Sequence, residues 1–279
     1  MFYLKGICEI IMDLYKLWCL LFSIFFGACI GAFLNVIIYR LPIMMADSLS
    51  KGTTRYRKCG IFKDKFTLIS PRSFCPACYC PLPAKYNIPI LSWLYLRGKS
   101  QCCQQKINNR YLIVELISTV LTLAIIYFIE DTHVIIASLF LIWALIVLSF
   151  IDIDYYILPD AITLPLLWCG LLFNINEGFS VLSFAVIGSI AGYLFLWFPY
   201  WLFKSFKGVE GMGRGDFKLM AALGAWFGIT AIPLLVLLSA LFGLLAYVVI
   251  YNTLQKKVKY IAFGPCISLA GMTYLFLVI

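Results

Sequence analysis

Long apolar stretches recur along the chain, separated by short polar segments, and most approach the roughly 20 residues that a helix needs to cross a bilayer. The stretch at 161–174 has only about 14 residues, so we expect it to tilt or to extend at either end. The pattern predicts an all-α polytopic membrane protein with about eight transmembrane helices. We place them at about 17–39, 111–129, 134–151, 161–174, 179–203, 217–230, 232–251 and 261–279.

The composition agrees with a membrane protein and narrows the chemistry. Hydrophobic residues make up 63% of the 279 positions and charged residues 13%, whereas soluble domains have about 45–50% and about 25%. This excludes an ordinary soluble domain. The single histidine, His133, excludes HExxH metalloproteases and histidine-rich metal sites. Any catalysis must therefore use carboxylates, thiols or the backbone.

The basic residues predict the orientation in the membrane, because short cytoplasmic loops collect Lys and Arg. Twenty of the 22 fall in 40–110, 204–218 and 256–259, which share one side if eight spans alternate. We therefore expect those segments, with 152–160, in the cytoplasm, and both termini on the opposite side of the membrane. The net charge of +9 is then a topology signal, and we expect no nucleic-acid partner. Glu9 and Asp13 argue against a cleavable signal peptide.

A cysteine-rich loop divides the chain into a first segment at 1–39, a cytoplasmic subdomain at 40–110 and a membrane core at 111–279. The reducing cytoplasm favours a metal site over disulfides. Cys75 and Cys78 form a C-x-x-C knuckle, but Ser100 precedes Cys102-Cys103 where a second knuckle is expected. A tetrahedral Zn²⁺ site could use Cys75, Cys78, Cys103 and either Cys102 or Cys80. The alternative is a loop of free thiols without metal.

Two carboxylates mark the predicted cytoplasmic ends of spans. Asp152 ends the third span, where the helix dipole disfavours an ionised carboxylate, and Asp216 begins the sixth, where the dipole favours one. Two carboxyl groups with opposed ionisation are what an aspartyl protease needs. Asp216 could also be a simple N-cap. We interpret Asp154 as a solvated interface residue and Asp160 as the N-cap of the fourth span.

These residues resemble the type IV prepilin peptidase family, whose members are intramembrane aspartyl proteases with a GxGD motif and also N-methyltransferases. The resemblance extends from about residue 27 to 265. Its blocks are Gly31–Pro42, Asn87–Leu94 beside the cysteine loop, Arg110–Glu115, Ile151–Asp160, Gly211–Leu219 and Phe263–Pro265.

The resemblance implies Asp152 and Asp216 as the catalytic pair and a type IV prepilin or pseudopilin as the substrate, which would reach the site from the lipid bilayer. Cleavage would follow a glycine on the cytoplasmic side, and S-adenosylmethionine would then methylate the new amino terminus. The family loop carries a two-knuckle zinc site. Gly98 and Lys99 match the position just before its second knuckle and are our candidate cofactor-binding residues.

The chain departs from the family pattern at Ser100, where a cysteine is expected, and at Leu112, where proline is usual. We therefore keep two other interpretations. Membrane-edge carboxylates and glycine-broken helices also suit a proton-coupled transporter. A secretion-system assembly component with reduced catalysis would explain the altered knuckle.

Overall fold

A computed structural model describes residues 2–49, 67–208, 212–254 and 261–279. Helices dominate these ranges, and no extended strand occurs within them. Gly211 and the lysines at 256, 257 and 259 lie outside the described residues. The helices are α1 (Phe2–Leu49), α2 (Leu91–Tyr95), α3 (Arg110–Phe128), α4 (Thr132–Tyr155), α5 (Asp160–Phe173), α6 (Leu182–Lys207), α7 (Arg214–Phe227), α8 (Ile232–Leu254) and α9 (Gly264–Val278).

The prediction of an all-α membrane protein is confirmed, since each of the eight apolar stretches coincides with a helix. Within the described residues, five helices are long and apolar enough to cross a bilayer: Leu17–Ala46, Arg110–Phe128, Thr132–Tyr155, Leu182–Phe206 and Ile229–Thr253. Helices α5 and α9 are apolar but shorter. Helix α7 has 14 residues, about 21 Å, against a hydrocarbon core of about 30 Å. The count of eight spans stays a prediction.

The first helix is longer than its apolar stretch. It continues through Pro42 to Leu49, so the segment that we assigned to the cytoplasmic loop begins with helix. The chain divides into two compact units, Met1–Glu130 and Asp131–Ile279. In the first unit, α1 packs along α3.

Small residues let α1 and α3 approach closely. A Cβ on Gly27 would lie 2.9 Å from the Cα of Thr119, and one on Gly31 would lie 2.7 Å from the Cα of Glu115. The hydroxyl of Ser118 donates to the carbonyl of Gly27 at 2.9 Å. These two helices therefore form a small-residue contact of the kind that holds membrane helices together.

Side chains from the same helices hold the described part of the loop. The guanidinium of Arg40 donates to the carbonyls of Thr67, Leu68 and Pro71 at 2.6–3.1 Å. The carboxylate of Glu115 accepts the backbone N–H of Ile90, a residue with a φ of 61°. The loop is thus hydrogen-bonded to both helices, to α1 through Arg40 and to α3 through Glu115.

The second unit is built around α7, which packs against α5 and α6 and also touches α9. Helix α9 packs in turn against α4 and α8. The side chain of Asn174 donates to the carbonyls of Ala225 and Trp226 at 2.8 Å, which satisfies the C-terminal end of α7. The indole of Trp226 donates to Leu166 in α5. A buried α7 brings its first turn into the protein interior.

Candidate active site and cysteine cluster

Asp152 lies in the last turn of α4 and is 6% exposed. Its Oδ2 accepts the backbone N–H of Gly264 at 2.9 Å. Gly264 is the first residue of α9, and Pro265 follows it, so this N–H is one of the donors that a helix N-terminus leaves without an intrahelical partner. The amino end of α9 therefore orients the carboxylate of Asp152.

Asp216 is the third residue of α7 and is also 6% exposed. Gly213, at the N-cap position, accepts the backbone N–H of Asp216 at 3.3 Å. The interpretation of Asp216 as the N-cap is therefore wrong, because Gly213 is the N-cap and Asp216 lies within the first turn. Its carboxyl group is buried against the glycine-rich start of α7.

The structure places the two aspartates and Cys266 in one cluster. Asp216 is close enough to feel the charge of Asp152, and Cys266, two residues after Gly264, lies within electrostatic reach of both. Leu158 fills the space beside them. A Cβ on Gly215 would lie 2.7 Å from the Cβ of Leu158, and one on Gly264 would lie 3.1 Å from its Cδ2. Leu158 therefore separates the starts of α7 and α9.

The ionisation of Asp216 differs from the expectation based on the helix dipole. Burial and, secondarily, the negative charge of Asp152 raise the pKa of Asp216 to about 7, although a hydrogen bond to Gly213 acts in the other direction. The prediction that Asp216 stays ionised is wrong in direction, because desolvation outweighs the dipole. The two carboxyls still differ, because the charge of Asp152 adds to the rise in the pKa of Asp216.

The two neighbouring acids have other environments. Asp154 is exposed. Asp160 does not cap α5, because Pro159 occupies the N-cap position. The carboxylate of Asp160 instead accepts both its hydrogen bonds from the Nζ of Lys218 in α7, at 2.7 Å to each oxygen. The capping prediction for Asp160 is wrong, and the residue joins α5 to α7.

The loop brings four cysteines together, and they are the four that we proposed as metal ligands. The Sγ atoms of Cys75, Cys78, Cys102 and Cys103 all lie within 4.8 Å of one another. Cys80 is exposed and outside this group. Of the two alternatives for the fourth sulfur, the geometry favours Cys102. Four clustered thiols in a small loop are the ligand set of a structural zinc ion.

The comparisons with known proteins match nearly all of the chain. Residues 25–129 match the bacterial peptidase A24 N-terminal domain, and residues 139–248 match the type IV leader peptidase family. The prepilin leader peptidase/N-methyltransferase of Aeromonas hydrophila is 47% identical over 252 residues, which cover 88% of this chain and 86% of that protein. The chain belongs to the type IV leader peptidase family.

Other relatives agree with this assignment. The proteins of the same name from Pectobacterium carotovorum and Neisseria gonorrhoeae are 44% and 43% identical over 248 residues. These alignments cover 88% of this chain in both cases, and 88% and 86% of the two relatives. No solved structure matches the chain significantly.

The two candidate cofactor residues of this family member lie in a tight turn. Gly98 has a φ of 69°, and a Cβ there would lie 3.0 Å from the ring of Trp93, so its role in the turn is conformational. Lys99 is exposed. A cavity of about 460 Å³ lies elsewhere, between α6 and α7, and Trp197, Lys204 and Arg214 are among its lining residues. Its cations and aromatic rings suit an anionic group attached to an apolar or planar body.

Leu158 and Gly264 are site residues whose roles sequence reasoning did not find. Both belong to motifs that the family resemblance includes, but no local pattern shows that Gly264 contacts a residue 112 positions earlier. The local signal was the Gly264-Pro265 pair at the start of an apolar helix. Such a pair indicates a helix N-terminus, where the N–H of the glycine can bind a group outside the helix.

Proposed function

We propose that this protein removes the leader peptide of type IV prepilins or pseudopilins and then methylates the new amino terminus. Family membership and the printed names of the relatives support both activities. The observation that carries the proposal for the site is the burial of two carboxyl groups, Asp152 and Asp216, in one electrostatically coupled cluster. Burying two carboxyl groups in a membrane protein costs free energy, so a buried pair is a candidate for function.

The geometry supports a division of roles between the two aspartates. Asp152, whose carboxylate accepts the N–H of Gly264, acts as the base and takes a proton from a water molecule while the water oxygen attacks the peptide carbonyl. Asp216 holds a proton and donates it to the carbonyl oxygen. When the tetrahedral intermediate collapses, a proton passes to the leaving nitrogen and the C–N bond breaks. The net reaction consumes one water molecule.

We place this chemistry at the cytoplasmic face of the inner membrane. Asp152 lies at the C-terminal end of α4 and Asp216 at the N-terminal end of α7, and basic residues concentrate in the adjoining 204–218 segment. An apolar substrate stem could enter from the bilayer while its leader stays in the cytoplasm. Carboxylates at helix ends, not at mid-helix, argue against the transporter alternative, whose sites lie near the midplane.

For the methylation step, S-adenosylmethionine would supply the methyl group and the new amino terminus would be its acceptor. Lys99 is the candidate residue of this chain for holding the cofactor, since its exposed ammonium group can bind a carboxylate. Gly98 would act only through the turn that presents Lys99. The cysteine cluster would hold Zn²⁺ and stabilise the loop that carries this turn.

Co-expression with a prepilin tests the protease. We expect Asp152→Asn and Asp216→Asn each to abolish leader removal while the protein remains in the membrane, because each variant lacks one partner of the proton exchange. Asp154→Asn is the matched control, since Asp154 lies on the same helix and is exposed; it should retain cleavage. Full processing by either member of the pair would refute the dyad.

Mass spectrometry of the mature pilin amino terminus reads both activities in one spectrum. A shortened chain with a methylated amine supports the complete proposal. A shortened, unmethylated chain would support the protease activity and exclude the methyltransferase activity. An intact leader with wild-type protein would support the interpretation as an assembly component.

A further inference from the structure

The two turns that carry the clustered cysteines have the same backbone hydrogen bonds. In the first, the N–H of Cys75 donates to the carbonyl of Cys80 at 2.9 Å, and the N–H of Tyr79 donates to the carbonyl of Cys75 at 2.8 Å. In the second, the N–H of Ser100 donates to Gln105 at 2.8 Å, and that of Gln104 donates to Ser100 at 2.9 Å. The turns are thus equivalent, with an offset of 25 residues.

Backbone conformation supports the same correspondence. Tyr79 and Gln104 occupy equivalent positions and have φ values of 60° and 57°. A single β-bridge closes each turn, between Phe74 and Pro81 in the first and between Lys99 and Lys106 in the second. By this equivalence Cys78 corresponds to Cys103, and Cys75 corresponds to Ser100.

Ser100 therefore stands where the second turn would present its first sulfur ligand. It is 7% exposed, and its hydroxyl lies 3.4 Å from the Sγ of Cys75 and 3.0 Å from the Sγ of Cys102. Cys102 corresponds to Ala77 in the first turn, a position that offers no ligand there. Its Sγ nevertheless lies 3.1 Å from the Sγ of Cys78, while the Sγ atoms of Cys75 and Cys103 are 3.7 Å apart.

These separations suit four ligands of one ion. Sulfur atoms in a tetrahedral zinc site are about 3.8 Å apart, because each Zn–S bond is about 2.3 Å long. Shifts of under about 1 Å would bring all four thiols to that spacing. Ser100 cannot replace one of them readily, since a neutral hydroxyl is a much weaker zinc ligand than a thiolate.

We propose that the adjacent residues Cys102 and Cys103 both bind the ion, with Cys102 replacing the ligand missing at position 100, and that the hydroxyl of Ser100 donates a hydrogen bond to the bound sulfur of Cys75. Ser100 is then a positioning residue. The proposal rests on the zinc site in the proposed function. It assigns this chain a ligand set that two C-x-x-C knuckles do not describe.

Zinc content and zinc affinity of the purified full-length protein test this ligand set. We expect one Zn²⁺ per chain in the wild type and in Cys80→Ser, the control for loss of a thiol outside the cluster. Cys102→Ser should lose most of its zinc. Ser100→Ala should keep four ligands but bind zinc about 10–100-fold more weakly in competition with a chelator, the usual effect of removing a hydrogen bond to a metal ligand.

Moving the thiol back provides the decisive variant. Ser100→Cys combined with Cys102→Ser restores a regular second knuckle, so it should recover the zinc that Cys102→Ser loses, which also shows that the loss is not general misfolding. Cobalt substitution reports the ligands directly. Wild type, Ser100→Ala and the double variant should give a four-thiolate Co²⁺ spectrum, and Cys102→Ser should not.

Each outcome bears on a different part of the proposal. A four-thiolate cobalt spectrum from Cys102→Ser would overturn the assignment of Cys102, and unchanged zinc affinity in Ser100→Ala would overturn the role of Ser100. A wild-type protein without zinc would overturn the zinc site and this inference together. Leader cleavage by Asp152 and Asp216 is a separate proposal, and the pilin assay tests it independently of these results.

Discussion

Asp152 and Asp216 are equally exposed, but the groups around their carboxyls differ. Asp152 accepts a backbone N–H from the start of α9. For Asp216, burial is the main cause that raises the pKa. The negative charge of Asp152 adds to that rise. Since their charges interact, the titration belongs to the pair, and only its consequence for cleavage can be measured directly.

Cleavage should decrease at alkaline pH. The pKa of Asp216 is raised to about 7, so its proton is present below that pH and is lost above it. If Asp216 is the acid, the leader-cleavage rate in detergent should be nearly level at about one unit or more below pH 7 and should fall toward tenfold per pH unit above it. Glu130→Gln, which removes an exposed carboxylate elsewhere, should have the same profile. A rate that rises from neutral to alkaline pH would contradict this assignment.

Gly264→Ala should slow cleavage without unfolding the protein. The added Cβ would lie 2.7 Å from Oδ2 of Asp152 and 3.1 Å from Leu158, so the carboxylate must move. A displacement of about 1 Å can cost about a hundredfold in rate. Single-turnover cleavage measures the effect, with circular dichroism as the check on folding.

Ser268→Ala is the control for that experiment. Ser268 lies one turn further along α9, and its buried hydroxyl has no hydrogen-bond partner within the described part of the chain. Removing it should leave cleavage close to wild type. Equal rates in both variants would show that the start of α9 does not position Asp152.

The aspartates, the four clustered cysteines and the departure at Ser100 were predictable from sequence, because each lies in a short motif. The contact between Gly264 and Asp152 was not, since it joins segments 112 residues apart. The pairing of Asp160 with Lys218 is similar, at a separation of 58 residues. In the sequence, Asp160 at the start of an apolar helix resembles an N-cap, and only the structure shows that its partner is Lys218.

At the scale of elements, the apolar stretches predicted where helices occur better than where they end. Helix α1 continues to Leu49, well past position 39 where we ended the first span, because Arg40 and Pro42 do not end the helix. Helix α7 has the opposite character. It is short, but its residues from Asp216 to Phe227 are buried apart from Lys218, so protein contacts and not the bilayer cover it. Hydropathy cannot distinguish these two ways of covering an apolar helix.

Gly31→Leu should separate α1 from α3. The side chain would meet the backbone of Glu115, where even a Cβ would be 2.7 Å from the Cα, and overpacking typically costs about 1–3 kcal/mol. We expect lower thermal stability in detergent. The loop should also become easier to proteolyse, because Glu115 holds Ile90. Phe33→Leu, on an exposed position of the same helix, should change neither measurement.

At the scale of the whole molecule, the basic residues and the aspartate pair give separate indications of orientation. The ends of α4 and α7 that carry Asp152 and Asp216 must lie on one side of the membrane, because the two carboxyl groups interact. Lys204 and Arg214 belong to the segment that precedes Asp216. The positive-inside rule assigns that segment to the cytoplasm. The residues of the second unit alone therefore predict a cytoplasmic location for the aspartate pair.

Reporter domains inserted into the full-length protein can test this orientation. Alkaline phosphatase, which is active only outside the cytoplasm, should be active after Glu177 and inactive after Gly208, and a fluorescent protein that matures in the cytoplasm should show the reverse. Retained leader cleavage by each insertion variant confirms that the fold is intact. Phosphatase activity after Gly208 would place the dyad at the periplasmic face. A leader that remains in the cytoplasm could not then reach the two aspartates, so the proposed cytoplasmic cleavage would fail even if Asp152 and Asp216 were still required.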